Sequence, residues 1–416
     1  MRRKVAGNLL WMLSERGLQV AAGIGIVAML ARGLGPEGFA HFQYAQAIVT
    51  IAASVALICG GEVIVPRLVG LSSSLEQHRL LAHAFVLRLA GAMLGYALMC
   101  GYLLAAAPAT QTWEAALLLG LAILLREPAG VVNAWMQAHT HNRPGTVFSL
   151  IALSIKLGLA GLVFALGLSS VPAFAAAIAV EPVILATLLA MYYFARIEHR
   201  RVAFDRALAS ELVRGGALFW ASFMMMMGAR RVDQLILQPA VSLTEFSAYA
   251  ATMQILDNFT VVAAIVAAGI APAYVYSRTE PAAARTNVIR IAAGMTALGV
   301  AGAATIALAS PWIVRLLYGA EFAMAIDLLR IAALASALVF ADVGLTLLPV
   351  YLRRPDWIAC KWALVLATTL AFDLWAVPRH GAWGAIGGYA LANGVAVLFG
   401  IGLCWRVRPA PRALAA

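Results

Sequence analysis

Apolar runs of the length a helix needs to cross a bilayer, about 20 residues, recur along the whole chain with short polar joints between them. The pattern predicts twelve spans. They fall at roughly 8–30, 42–65, 83–107, 114–138, 146–168 and 173–195 in the first half, and at roughly 216–239, 247–272, 288–310, 324–348, 358–377 and 384–405 in the second. The longest joint, RIEHRRVAFDRALASELVRG at 196–215, leaves no room for a soluble catalytic domain. Any function therefore has to live inside an all-α membrane bundle.

Composition agrees with this. A chain that is 63% hydrophobic and 12% charged, with a mean hydropathy of +0.88, cannot cover a globule with polar side chains and belongs in a membrane. The start, MRRKVAGNLLWML, has the basic then apolar character of a secretory signal. Ser14, Glu15 and Arg16 interrupt the apolar run and no small-residue cleavage site follows, so an uncleaved first helix is expected. Cys59, Cys100, Cys360 and Cys404 lie in or beside apolar spans without paired or metal-like spacing and read as small core residues.

Basic residues set the expected orientation. With the amino terminus in the cytoplasm, alternating joints place 20 Lys and Arg inside, Lys361 among them, and only Arg32, Arg315 and Arg379 outside. This is the positive-inside bias, and it predicts a multi-pass protein with both termini cytoplasmic. The net charge of +11 is then a topology signal, and nucleic acid is not an expected partner.

Displacing the chain by 207 positions lays GFAHFQYAQAI (38–48) over EFSAYAATMQI (245–255), matching Phe39 with Phe246, Phe42 with Tyr249 and Ile48 with Ile255. The offset is close to half the chain. It divides the protein into two bundles of six helices, 1–205 and 206–416, with the same topology and related by a pseudo-two-fold axis along the membrane normal.

Charged residues inside the spans are the candidate chemistry. In MMMMGARRVDQLIL (224–237), Arg230, Arg231 and Asp233 each cost roughly 2.5–3.5 kcal/mol at mid-helix, against about 0.3–0.6 gained per Leu, Ile, Phe or Val. Facing lipid is the costly arrangement. Arg230 and Asp233 share a helix face at i, i+3, so a local pair is one reading, while Arg231 points about 100° away and is open to an anion. REPAG (126–130) and VEPVI (180–184) place Glu127 and Glu181 directly before prolines, where the carbonyls of Leu124 and Ile178 are disturbed and a kink is expected. Arg126 and Glu127 diverge by about 100° and need partners on other helices. Glu181 has no basic residue within four positions and is a candidate proton carrier. Lys156, in LSIKLGLAG, can meet an acid or a phosphate. Asp257, then Glu15, Arg16 and Asp373, rank after these, and Asp342 is placed low. Asp327 and Arg330 are spaced to pair locally.

Other features predict no chemistry. The His139-x-His141 spacing lies in a short joint without a third ligand, so no metal is expected. Gly91 with Gly95, and Gly384 with Gly388, have the spacing of close helix contacts. There is no phosphate-binding glycine loop and no nucleophile–histidine set, so neither a cofactor nor enzymatic activity is expected.

ARGLGPEGFAHFQYAQAI (31–48), RRVDQLIL (230–237) followed by EFSAYAATMQILDNF (245–259), and PWIVRLLYGAEFAMAIDLLRIAAL (311–334) together resemble the polysaccharide transporter family. These are the Wzx-like flippases of the multidrug/oligosaccharidyl-lipid/polysaccharide exporter superfamily. Residues 350–416 resemble it only in hydropathy. The resemblance implies two six-helix bundles around a central cavity, in the bacterial inner membrane. It also implies a secondary transporter that moves undecaprenyl-pyrophosphate-linked oligosaccharide to the outer leaflet by alternating access. On that reading Arg230, Arg231, Arg126 and Lys156 bind the anionic substrate, and Glu181, Glu127, Asp233 and Asp257 are candidates for coupling to H+ or Na+. Polysaccharide polymerase and glycosyltransferases are expected partners, beside the lipids of the membrane. The alternatives are a drug or cation exporter of the same superfamily, a membrane glycan polymerase or ligase, and a scaffold for a biosynthetic complex.

Overall fold

The computed structural model describes residues 2–196 and 202–407, with side chains from Gly17 onward except Leu18, and every regular element within them is helical. In order these are α1 (Arg2–Ala56), α2 (Gly61–Val69), α3 (Ser74–Ala106), α4 (Thr110–Ala138), α5 (Asn142–Ala165), α6 (Val171–Arg196), α7 (Arg206–Leu237), α8 (Leu243–Ala271), α9 (Pro281–Leu317), α10 (Met324–Tyr351) and α11 (Pro355–Arg406). Among the described residues, ten helical segments are long and apolar enough to cross a membrane.

Ten segments hold the twelve predicted spans because α1 and α11 carry two each. As straight helices they would reach about 80 Å at 1.5 Å per residue, far more than the ~30 Å of a hydrocarbon core. Each is broken by a glycine. Gly35 (φ 65°, ψ −179°) ends the first half of α1, and Pro36 then starts the second half at the position where its missing N–H costs nothing. Gly381 (φ 55°, ψ −133°) breaks α11.

The break in α11 is held from outside. Ser242 caps α8 by accepting from the Glu245 N–H at 3.2 Å, and the Glu245 carboxylate accepts from the Ala382 N–H at 2.8 Å, covering a helix start that has lost its own acceptors. A Cβ at Gly381 would run into that carboxylate and approach Val241 Cγ1 at 3.3 Å. Gly381→Ala combines the strain of a positive φ with this overlap, and is expected to destabilise the protein by about 1–3 kcal/mol. The fall should show in the thermal midpoint of the purified protein, and an unchanged midpoint would mean that the turn tolerates a side chain.

The chain forms two compact units, the first 18–231 and the second 232–416 together with 1–17, so that they divide within α7 between Arg231 and Val232. The start of α7 stays with the first unit because polar contacts fasten it there. Asp205 accepts from the N–H groups of Ala207 and Leu208 at 2.8 and 3.4 Å, pairs with Arg79 at 2.6 Å, and Glu211 meets Arg67 at 3.1 Å. Those backbone donors, with Arg79, hold the Asp205 carboxyl below the usual carboxylate range, so the cap stays charged to lower pH than an ordinary aspartate.

In the first unit, Ile64, Leu81, Val131, Leu189 and Leu212 form a core that joins α2, α3, α4, α6 and α7. α3 lies close on α1, where a Cβ at Gly95 would come within 2.5 Å of the Ala52 carbonyl oxygen and one at Gly91 within 3.0 Å of that of Val55. In the second unit Ala263, Val288, Phe340 and Leu348 pack α8, α9 and α10. The halves of α11 fold back on each other, with Gly384 against the Ala376 backbone and Gly388 against Asp373. Leu98, Leu104, Leu308, Trp312 and Leu398 are more than half exposed, as expected of side chains that meet lipid. Of the four cysteines, Cys59 and Cys404 are buried, and all are free.

Candidate functional site

In the first unit the sequence candidates separate into a pair and two open cations. α5 carries Lys156 and α6 carries Glu181, and the two meet at 2.5 Å with side chains 17% and 19% exposed. Glu181 therefore has a basic partner that lies 25 positions away and that local spacing does not reveal. α4 and α6 run as continuous helices through Pro128 and Pro182. Arg126 is exposed, Glu127 is half-buried, and the charge of Glu127 is felt by both Arg126 and Arg88. Arg126 and Arg230 take part in no hydrogen bond or ion pair among the described residues, and both are exposed. Arg231 is half-buried and engaged.

Arg88, one of the seven basic residues that the sequence places inside the spans but to which it gives no specific role, belongs with this group. It is 5% exposed, and it donates through Nε to the Cys59 carbonyl at 2.8 Å and through Nη1 to the Glu127 carbonyl at 3.2 Å. Cys59 lies in the irregular joint between α1 and α2, where carbonyls lack helical partners. A buried guanidinium on two carbonyls supplies those acceptors and fixes a positive charge beside Glu127.

In the second unit Asp233 is 5% exposed. Among the described residues the i, i+3 pair with Arg230 is not formed. Asp233 accepts from the Tyr249 hydroxyl of α8 and from the Gln234 N–H at 2.8 Å. Asp373 of α11 is within electrostatic reach of both Asp233 and Tyr249. It is 0% exposed, and neither of its carboxylate oxygens has a hydrogen-bond partner among the described residues. Gly388 makes the room, since a Cβ there would overlap the Asp373 carboxylate. Two neighbouring buried carboxylates repel, and a proton or a bound cation removes that repulsion. Asp373, ranked low on sequence, is thus the acid whose surroundings ask most for a cation. Asp257 is half-buried and engaged, with its carbonyl accepting from Thr260 Oγ1 at 3.1 Å. The side chains of Glu15 and Arg16 lie outside the described residues.

The second unit also holds an ion pair absent from the sequence reading. Lys361, counted there with a polar joint, is buried in α11, and its ammonium donates to both Asp342 oxygens and to Thr346 Oγ1, each at 2.9 Å. It also sits 4.6 Å from the centre of the Trp362 ring. The Asp327–Arg330 pair forms locally at 2.9 Å on an exposed surface, as its spacing predicts. No three His, Cys, Asp or Glu among the described residues come together as a metal site.

Comparison with solved structures places the fold. The chain is similar to an inward-facing multidrug resistance MATE transporter of the MOP superfamily, with a TM-score of 0.72 at 15% identity over 94% of this chain and 95% of that one. It is similar to the lipid II flippase MurJ in an inward closed conformation, with a TM-score of 0.71 at 14% identity over 95% and 87%. A MOP superfamily transporter from Pyrococcus furiosus, described as having a binding pocket of reversed polarity, gives 0.61 at 14% over 95% and 94%. At such identities the likeness is one of fold. No curated protein matches. Residues 29–327, well over half of the sequence, match the family described as polysaccharide biosynthesis protein, and the chain belongs to that family.

Proposed function

We propose that this membrane protein is a secondary transporter that flips undecaprenyl-pyrophosphate-linked oligosaccharide from the cytoplasmic to the outer leaflet of a bacterial inner membrane by alternating access. Its repeat halves would be 1–205 and 206–416, with both termini cytoplasmic. The observation that carries the reading is the state of the intramembrane charges. Arg126 and Arg230 are exposed and without ion pairs among the described residues, in helices apolar enough to cross a membrane, an arrangement that hydrocarbon penalises and a polyanion rewards. Membership of a polysaccharide biosynthesis family supports a glycan cargo, and the MOP-type fold supports transport.

On this reading Arg126, Arg230, Arg231 and Lys156 neutralise the pyrophosphate, whose oxygens suit the guanidinium fork. Lys156 has to exchange Glu181 for phosphate, which frees a carboxylate to take a proton. Glu127 and Asp257 are further acids available to the cycle, and Asp233 with Asp373 forms the main coupling site for H+ or Na+. Polymerase and glycosyltransferases act before and after it. A drug exporter has less use for exposed cations.

The test is a triple variant, Arg126→Ala with Arg230→Ala and Arg231→Ala, purified and reconstituted into proteoliposomes. Flipping of lipid-linked oligosaccharide is expected to fall at least tenfold with the protein still inserted. Wild-type flipping by the variant would overturn the proposal, and so would wild-type protein that exports a cationic dye but does not flip the lipid.

A further inference from the structure

One end of the second unit carries two arginines apart from the intramembrane charges. α10 finishes there at Tyr351, and the chain turns into α11 through Leu352, Arg353 and Arg354. The Arg353 N–H donates to the Val350 carbonyl at 3.1 Å, and the Arg354 N–H to that of Pro349 at 2.9 Å. This pair of bonds closes a helix whose next residue is left-handed, a place usually taken by glycine. Arg353 holds it at φ 53°. The end of α5 makes the same two bonds, Gly167 to Phe164 and Leu168 to Val163, with the glycine at φ 66°. The end of α4 makes them with Thr140 at φ 56°. The turn itself therefore asks for no cation, and a side chain there is strained.

Arg278 is brought to the same end. The Tyr351 hydroxyl donates to the Arg278 carbonyl at 2.9 Å, which ties the joint between α8 and α9 to the last turn of α10. Both arginines are exposed, and neither guanidinium has a partner among the described residues. Asp356 is already taken by Arg354, which donates through Nε at 2.9 Å and Nη2 at 2.7 Å and lies over the Trp357 ring. Glu280, exposed in the joint, forms no ion pair among the described residues. The surface here is that of a membrane boundary. Val350 is exposed on the last turn of α10, as are Tyr274 and Tyr276 of the π-helical turn Pro272–Tyr276, and tyrosines of this kind sit at the level of lipid headgroups.

A ligand for this place has to be anionic, has to offer oxygens that suit guanidinium groups, and has to lie where hydrocarbon gives way to water. The phosphate of an anionic phospholipid meets all three conditions. We infer that Arg278 and Arg353 hold the headgroup of an anionic phospholipid against the end of α10, at the end of the second unit that the basic bias expects in the cytoplasm. The strain at Arg353 is what the fold bears to place a cation where glycine would close the helix more easily. The site lies within one unit and is independent of the glycan cargo.

The experiment uses the full chain purified in detergent, with phosphatidylglycerol and phosphatidylcholine of matched acyl chains as probes and native mass spectrometry to follow bound lipid. Arg353→Gly removes the cation and relaxes the turn. It is expected to lower the affinity for phosphatidylglycerol about fivefold, the effect of one basic residue near an anionic surface. Phosphatidylcholine binding should not change, and the delipidated variant should melt no lower than the wild type. Adding Arg278→Gln is expected to extend the loss to about twentyfold. Arg353→Asn, which also accepts a positive φ, should repeat the result of Arg353→Gly should the double variant not fold. A structural role for the arginine would lower stability together with binding, so an Arg353→Gly protein that melts below the wild type, or loses both lipids alike, overturns the inference. Wild-type affinity for phosphatidylglycerol in the variants overturns it as well. Displacement of phosphatidylglycerol by inorganic phosphate also overturns it, because the arginines would then take a soluble anion. Wild-type protein without preference for phosphatidylglycerol overturns it and leaves the two arginines to an acidic soluble partner.

Discussion

Lys361→Met is expected to destabilise the second unit by about 3–5 kcal/mol, because it leaves the Asp342 carboxylate buried without its cation. The pair is well enclosed, with side chains 5% and 9% exposed. Its geometry explains why it is tolerated at all: three acceptor atoms, Asp342 Oδ1 and Oδ2 and Thr346 Oγ1, meet the three donors of one ammonium. Neither ion retains an unmet group of the kind that makes buried charges costly. Removing both charges has a different consequence from removing one. Asp342→Leu combined with Lys361→Met takes away the attraction and both desolvation penalties together, so the double variant is expected within about 1 kcal/mol of the wild type, or above it. Thermal unfolding of the purified protein checks this, with the single variant melting roughly 6 °C or more below the double. Single and double variants of equal stability would show that the packing of the lysine stem, and not charge compensation, is what matters.

Hydropathy located the membrane helices because burying backbone in lipid demands long apolar runs, and the spans from α3 to α10 fall on the helices observed, overrunning their ends by at most three residues. What it did not show is how segments join. The turns at Gly35 and Gly381 occupy so little chain that α1 and α11 each run on as one nearly continuous helical stretch. Among the charges, the legible contact was the one written in local spacing, Asp327 with Arg330. Lys156 with Glu181, Lys361 with Asp342 and Tyr249 with Asp233 each join different helices, and nothing in a single helix's periodicity encodes its neighbour. The Asp233 case shows the competition directly. The i, i+3 rule offered Arg230, and the fold supplied a buried tyrosine hydroxyl instead. Lys361 was misread for a simpler reason: Arg353 and Arg354 precede it, so it looked like part of a basic joint, although α11 begins at Pro355 and carries it inside.

Asp373→Asn is expected to abolish cation-coupled flipping, by tenfold or more, while leaving the protein folded. The substitution keeps shape and removes a charge. Neither Asp373 oxygen accepts a hydrogen bond among the described residues, so the amide forfeits no internal contact, and repulsion from Asp233 disappears with the charge. What is lost is the reason for a cation to bind. That loss has a readout separate from transport. A coupling ion that binds only the folded protein stabilises it by about 2.7 kcal/mol at a hundred times its Kd, so the wild-type melting midpoint should rise with Na+ if sodium is the ion, or change with pH between the two carboxylate states if the proton is. The midpoint of Asp373→Asn should be flat in the same titration. Gly388→Ala approaches the site from the other side, since the added Cβ occupies the space of the Asp373 carboxylate and should displace it without changing any charge. Weakened ion dependence with part of the flipping rate retained is the expected result. If Asp373→Asn flips substrate at the wild-type rate and keeps the wild-type response to Na+ and pH, the energy source lies elsewhere. The next candidate is then the Lys156–Glu181 pair of the first unit, where a phosphate in place of the carboxylate would release Glu181 to a proton.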